Sequence, residues 1–296
     1  MRLLFEADGV SCPVICDGNA PRTHAALASV LPLALQLHTP KIAGSHIFWH
    51  VPFIEDVEGG VDVLSAPPGA LIYWPVRQFM EITFAPLQAE TASVSVLGQI
   101  DAPVSRIAAL GERLRLGAGS RVFSGQLSRL DGDPTAPVPV LAPDVPASLR
   151  DARLALWRDC PAELRALTRS RAILHPVGPL MQADAEARVL HEILWEVRSR
   201  RGRQADDTRR AIASMALDRT GVRLRDFCHL PGCAATLHAA RDAVEDTAVP
   251  FDAALTEAIL IAGRLAAWID LLIPWNAMNE AARRALPAQE ETRNDG

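Results

Sequence analysis

Residues 131–146, DGDPTAPVPVLAPDVP, constrain the chain more than any other stretch, because closely spaced prolines fix φ, remove backbone donors and cannot support a packed helix. The apolar period changes across this segment. Before it, short runs such as Ala70–Trp74, Phe79–Phe84 and Ala92–Ile100 are β-rich or alternate with a period of two. Beyond it, apolar residues recur at helical spacing over Ala147–Leu174, Asp184–Arg201, Asp206–Asp218, Leu224–Cys228 with Pro231–Val244, and Phe251–Asp270. The expected class is therefore α+β and multi-domain: a β-barrel over 1–129, a Pro-rich linker over 130–146, an all-α helical bundle over 147–287 and a flexible tail over 288–296.

Within the first half, Arg2–Glu6 and Cys12–Cys16 predict a hairpin turning at Asp8-Gly9. Pro21 opens a helix that Pro32 stops, and further strands are expected at Ala34–Thr39 and Ile47–Val51. Pro67-Pro68-Gly69 marks a turn before Ala70–Trp74, and Arg106–Leu116 has the spacing of a short helix. In the run Phe79–Phe84, alternation places Glu81 with Phe79 and Thr83, and Met80, Ile82 and Phe84 on the core face. Glu81 is expected to be presented rather than hidden.

Composition excludes several functions. A net charge of -5 with basic residues scattered among acids argues against a nucleic-acid partner, since phosphate binding relies on clustered Lys and Arg. Acidic residues follow Met1–Phe5 at once, so no secretory leader is expected, and a cytoplasmic location is. The apolar run 253–275 approaches membrane-spanning length, but Glu257, Arg264 and Asp270 within it favour a buried helix and no membrane partner. Five cysteines lack the density of a disulfide scaffold, so reduced thiols are expected. Cys228, Cys233 and His238 do not match a common zinc spacing, so no metal is assigned. No glycine-rich phosphate loop and no GxSxG elbow occurs.

Six stretches, four in the first half and two in the second, carry a resemblance. Asn19–Thr23, Ala66–Pro75, Glu81–Pro86 and Ser95–Ile100, in that order, resemble the bacterial cyclophilin-like barrels, which share the proline-isomerase fold and generally lack its isomerase residues. Glu186–Glu196 and Gly263–Trp275 look like the helical-bundle domain of the cucumopine and mikimopine synthases. The combination implies a non-oxidative opine synthase. That family joins L-histidine to 2-oxoglutarate by a Pictet-Spengler cyclisation without a redox cofactor, so an amino acid and a 2-oxo acid are the expected partners and no cofactor is expected. The alternative is a non-catalytic small-molecule or protein-binding module on the same scaffold.

Such a reaction needs anion clamps, an acid or base for imine formation and a base for the ring proton. The candidate catalytic residues are Lys41, His50 and Glu81. Lys41 is the sole lysine among thirty basic residues, and an ammonium can clamp a carboxylate or carry a proton; it is equally compatible with a leftover surface lysine. His46 and His50 share one strand face, either as proton shuttles or as a solvent-facing pair. Glu81 and Arg77 are a base and a clamp, or a surface ion pair. For substrate binding the candidates are His46, Tyr73, Arg77, Arg188, His191, Glu192, Arg264 and Trp268. Arg188, His191, Glu192 and Trp195 converge on one helix face, and Glu257, Ile261, Arg264, Trp268 and Trp275 form a second stripe. These read either as one wall of an interdomain cleft or as a buried network stapling helices together. The tryptophans of the last helix point to a homo-oligomer.

Overall fold

The computed structural model describes residues 1–41, 44–87, 91–131, 144–170 and 177–286. β1 (Arg2–Ala7) and β2 (Val10–Cys16) form the expected hairpin. Asp8 and Gly9 both take positive φ, as a two-residue turn matched to strand twist requires. α1 (Pro21–Val30) has proline in its first turn, and Glu58 from the following loop region accepts hydrogen bonds from the amides of Arg22 and Thr23 there. Next come β3 (Leu33–Leu37), β4 (His46–His50), β5 (Val61–Asp62), β6 (Ala70–Trp74), β7 (Phe79–Thr83), β8 (Ser93–Ile100), α2 (Ser105–Gly117) and β9 (Phe123–Arg129).

The antiparallel sheet runs β3-β9-β1-β2-β8-β6-β7-β4, and β5 adds to β8 off this path. A bridge between His38 and Phe48 brings the two ends of that order together, so the sheet closes into a barrel. Leu3, Phe5, Val14, Leu35, Leu37, Ile47, Trp49, Leu71, Tyr73, Met80, Ile82 and Leu127 form its core. The strict period of two then sends Gln36, His38, His46, Phe48, His50, Phe79 and Glu81 to the outer wall.

The helical part contains α3 (Ala147–Arg158), α4 (Ala162–Arg169), α5 (Val177–Ser199), α6 (Asp206–Asp226), α7 (Pro231–Glu245), α8 (Phe251–Leu272) and α9 (Trp275–Ala285). A barrel followed by an all-α bundle is thus the observed architecture. Several expected boundaries shift. Cys160-Pro161 splits the single helix expected from Ala147 into α3 and α4, because proline has no amide to donate and blocks the preceding turn. α5 starts before Asp184. α6 runs through Gly221, where a Cβ would lie 2.4 Å from His238 Nε2, so this glycine lets α7 approach instead of ending the helix. β5, β9 and α9 are additions to the elements expected from periodicity. The proline-rich segment 132–143, residues 171–176 and the tail from 287 lie outside the described residues.

α8 is buried along almost its whole length, and its core cluster takes in α3, α5, α6 and α7. No single helix among the described residues is long and apolar enough to cross a membrane. α8 ends before Ile273-Pro274, and α9 leaves at a bend of 50°. Trp275 therefore belongs to α9 and not to the stripe of Arg264 and Trp268.

Candidate active site

The outer wall of β3, β4 and β7 faces the bundle, and nearly every polar side chain on that wall either meets α5 or α8 or is sealed beneath them. Gly263 permits the close approach: a Cβ there would fall 2.2 Å from Gln78 Oε1 and 3.0 Å from the His191 ring. Gln78 itself holds a left-handed backbone (φ 54°) after the single turn Pro75–Arg77. Its amide donates to Val51 O at 2.9 Å, and its Oε1 lies 3.2 Å from His191 Nε2.

Asp270, 1 % exposed, is the hub. His38 Nδ1 donates to its Oδ2 at 2.7 Å, Lys41 Nζ stands 3.2 Å from the same oxygen, and Arg188 donates to Oδ1 at 3.1 Å. Burial alone would raise its pKa, but Lys41, His38 and Arg188 outweigh it and hold the carboxyl below the usual range. Since an ionised carboxylate only accepts, His38 carries its proton on Nδ1, and Nε2 is left as a bare acceptor with no partner. Arg188 also bonds Asp184 at 2.9 Å.

Beside this hub lies an aromatic patch. Phe48 stacks on His38 at 4.8 Å and on Phe79 at 4.6 Å, with His46 and His50 flanking it. Phe48 pairs directly with Glu81 across β4 and β7. Glu81 is fully buried, so the expectation of a presented carboxylate is corrected: the alternation is right, but that face is closed to solvent. Neither Glu81 oxygen has a hydrogen bond; His46 Nε2 stands 3.4 Å away without the geometry for one. Burial pushes the Glu81 pKa up to about 8, so the group is mostly a neutral acid at pH 7. Burial, and then Lys41, depresses His46 to about 4; His38 and His191 also sit at about 4, and His50 well below its ordinary value, each chiefly through burial. The two strand histidines are thus neutral groups under the bundle and not a solvent-facing pair, and His46 and His50 each keep a sealed, unpartnered Nδ1.

Arg77 pairs with Glu192 of α5 at 2.6 Å, which corrects its expected pairing with Glu81. Arg264 reaches Gln36 Oε1 at 2.5 Å and Trp157 O at 3.2 Å, and its guanidinium lies over the rings of Trp157 and Trp268. Trp268 donates to Leu156 O at 2.7 Å. Glu257, by contrast, pairs with Arg153 at 2.6 Å, closing α3 on α8. Tyr73 is the candidate that does not join: its ring packs in the barrel core, and its hydroxyl accepts from the Glu55 amide.

The structure therefore brings together Lys41, His46, His50, Glu81, Arg77, Arg188, His191, Glu192, Arg264 and Trp268 along one seam. His38, Asp270, Gln36 and Gln78 join them without having been singled out as candidates. The alternation Leu35-Gln36-Leu37-His38 already put two polar groups on one wall, and a lone Asp270 in an apolar helix already required a partner. A cavity of about 400 Å³ opens at one end of the seam, bounded by Lys41, Phe84, Gly111, Glu112, Trp275 and Arg283. Among the described residues, no group of three or more His, Cys, Asp and Glu is arranged to hold a metal ion.

No protein-family model and no curated protein sequence matches the chain. Among solved structures, it is similar to McbB in complex with tryptophan, with a TM-score of 0.73, 14 % identity, and coverage of 94 % of this chain and 99 % of that one. This likeness is one of fold.

Proposed function

We propose that the chain is an enzyme that condenses an amino acid, L-histidine or a related amine, with a 2-oxo acid such as 2-oxoglutarate by a Pictet-Spengler cyclisation. The observation that carries the reading is Glu81: a carboxyl sealed at a seam, neutral near pH 7, with both oxygens free of hydrogen bonds. A structural carboxyl at that depth would have its oxygens satisfied, because an unsatisfied buried polar group costs about 1–3 kcal/mol. The McbB structure holding tryptophan and the resemblance to the non-oxidative opine synthases support an amino acid as one substrate.

The steps balance on this chain's own groups. The substrate amine adds to the oxo carbon, and the Glu81 carboxyl gives its proton to the departing hydroxyl, leaving an iminium ion, water and the Glu81 carboxylate. The nucleophilic ring carbon of the amine then bonds to the iminium carbon, and the carboxylate removes the ring proton to regenerate the acid. One group does both tasks because its pKa lies near working pH. The substrate amine enters the addition as the free base, its ammonium proton released to solvent, while His46, beside Glu81, and His38, whose Nε2 is bare, stay neutral and offer only hydrogen-bond acceptors. Lys41, 3.2 Å from Asp270, shares the edge of the 400 Å³ cavity with Arg115 and Arg283, and these cations meet an anionic substrate at the approach from solvent. His50, Arg77, Arg188, His191 and Glu192 shape and close the seam.

The test incubates the protein with L-histidine, L-tryptophan and related amines against a panel of 2-oxo acids and follows products by mass spectrometry. A condensed product from wild type, lowered roughly 10²- to 10⁴-fold in Glu81→Gln, is expected for loss of a general acid–base. Binding of amines with no product in any combination supports the binding-module reading instead.

A further inference from the structure

Among the described residues, three arginines are fully buried: Arg153, Arg209 and Arg264. Arg153 faces Glu257, and Arg209 faces Asp206 and Asp252. Arg264 is different. Its hydrogen-bond partners are a neutral amide and a backbone carbonyl, its remaining neighbours are two indole rings, and its Nε has no partner. The neighbouring Cys160 thiol offers no negative charge, since burial raises its pKa. A buried cation without a counter-charge is expensive, and chains avoid it unless something else supplies the anion.

The charges along the seam give the same answer. Lys41, Arg188 and Arg264 contribute three positive charges, against Asp184 and Asp270. The histidines and Glu81 are mostly neutral near pH 7. Arg77 pairs with Glu192, and Arg153 with Glu257. Among the described residues of the seam, one positive charge is left over, and it sits on Arg264.

We propose that Arg264, with Gln36 holding one edge of its guanidinium, is the receptor for a substrate carboxylate, and that the free protein is charge-incomplete until this anion arrives. The inference rests on the reading above for the identity of the substrates, and both the amino acid and the 2-oxo acid carry such a group. Arg264 presents a planar fork suited to a carboxylate, and the rings of Trp157 and Trp268 hold that plane in place. A substrate with the carboxylate is therefore selected over its decarboxylated analogue. The Arg264 charge adds to burial in keeping His38 and His50 neutral.

The experiment measures binding by calorimetry, independent of turnover, using four pairs of probes: L-tryptophan against tryptamine, L-histidine against histamine, 2-oxoglutarate against succinic semialdehyde, and pyruvate against acetaldehyde. In wild type, the carboxylate member of the amine pairs or of the oxo pairs is expected to bind roughly 10- to 150-fold tighter, which identifies the source of the anion. Equal binding within every pair, or no binding by any probe, overturns the proposal. Arg264→Gln is expected to erase the preference while leaving the decarboxylated partner's affinity unchanged. Because loss of Arg264 can compromise folding, Gln36→Glu provides a second variant that installs the missing anion from within. It is expected to raise Tm and abolish the carboxylate preference; a lowered Tm with the preference intact contradicts the proposal. If the preference holds while no product forms with any pair, the carboxylate receptor stands and the cyclisation reading falls.

Discussion

Replacing Glu81 by Gln converts a buried carboxyl into an isosteric group that cannot ionise, and its consequence can be worked from the site. The folded pKa is about 8 against an ordinary 4.5, raised by burial. The folded state therefore holds the Glu81 proton over a range in which the unfolded chain has released it. Wild-type stability from this group is fully present below pH 4.5, declines as pH rises, and reaches its lowest level above pH 8. At about 1.36 kcal/mol per pH unit, the interval amounts to about 5 kcal/mol in full and about 3 kcal/mol at pH 7. Urea denaturation of wild type and Glu81→Gln at a series of pH values from 5 to 9 reads this directly. Subtracting one curve from the other cancels every group the two proteins share. Glu81→Gln is expected to gain on wild type by about 3–5 kcal/mol across the series. Parallel curves, agreeing within about 0.5 kcal/mol, would refute the sealed neutral acid on which the proposed chemistry depends.

Asp270→Asn removes the carboxylate that His38, Lys41 and Arg188 share, stranding buried donors, and is expected to cost about 3–5 kcal/mol by chemical denaturation. Gly263→Ala puts a methyl group 2.2 Å from Gln78 Oε1; forcing α8 off the barrel wall is expected to cost about 1–3 kcal/mol and to lower product formation more than folding. His38, His46 and His191 are kept neutral with pKa values near 4. Their contribution is present above pH 6.5 and is lost as pH falls toward 4, by about 3 kcal/mol each. Thermal melts of Glu81→Gln, in which the opposing trend of that carboxyl is absent, should therefore show Tm falling from pH 6.5 to pH 4, and a level Tm contradicts the assignment.

Much of the barrel was legible because a closed sheet with one apolar face prints its period on the sequence: Glu81 and Phe79 were assigned to the correct side, as were His46 and His50. What alternation does not encode is what covers that side. On alternation alone the outer wall reads as solvent-facing, so Glu81 reads as presented and Arg77 as its partner, whereas Glu81 is buried and Arg77 pairs with Glu192. Tyr73 fell on the barrel-core side for the same reason of register. β9 carries little strand pattern because Gly125 and polar residues at Ser124, Gln126 and Ser128 leave only Phe123 and Leu127 to mark its inner face. In the helical half, the stripe Arg264 and Trp268 was visible at its spacing. The carboxylate that organises the seam was also in view, as the charge that disqualified 253–275 from a membrane, but its partner His38 lies 232 residues earlier and no local pattern joins them.

The central claim is that this seam closes a carbon–carbon bond onto an iminium carbon and that Glu81 removes the ring proton. The most direct measurement supplies L-tryptophan or L-histidine deuterated at the nucleophilic ring carbon, together with 2-oxoglutarate, and analyses the product by mass spectrometry before and after borohydride. A product with the summed mass of the two substrates less one water, stripped of the ring deuterium and unchanged by borohydride, is predicted for wild type and is all but lost in Glu81→Gln. A product that keeps its deuterium and gains hydride from borohydride is an uncyclised imine, and contradicts the account.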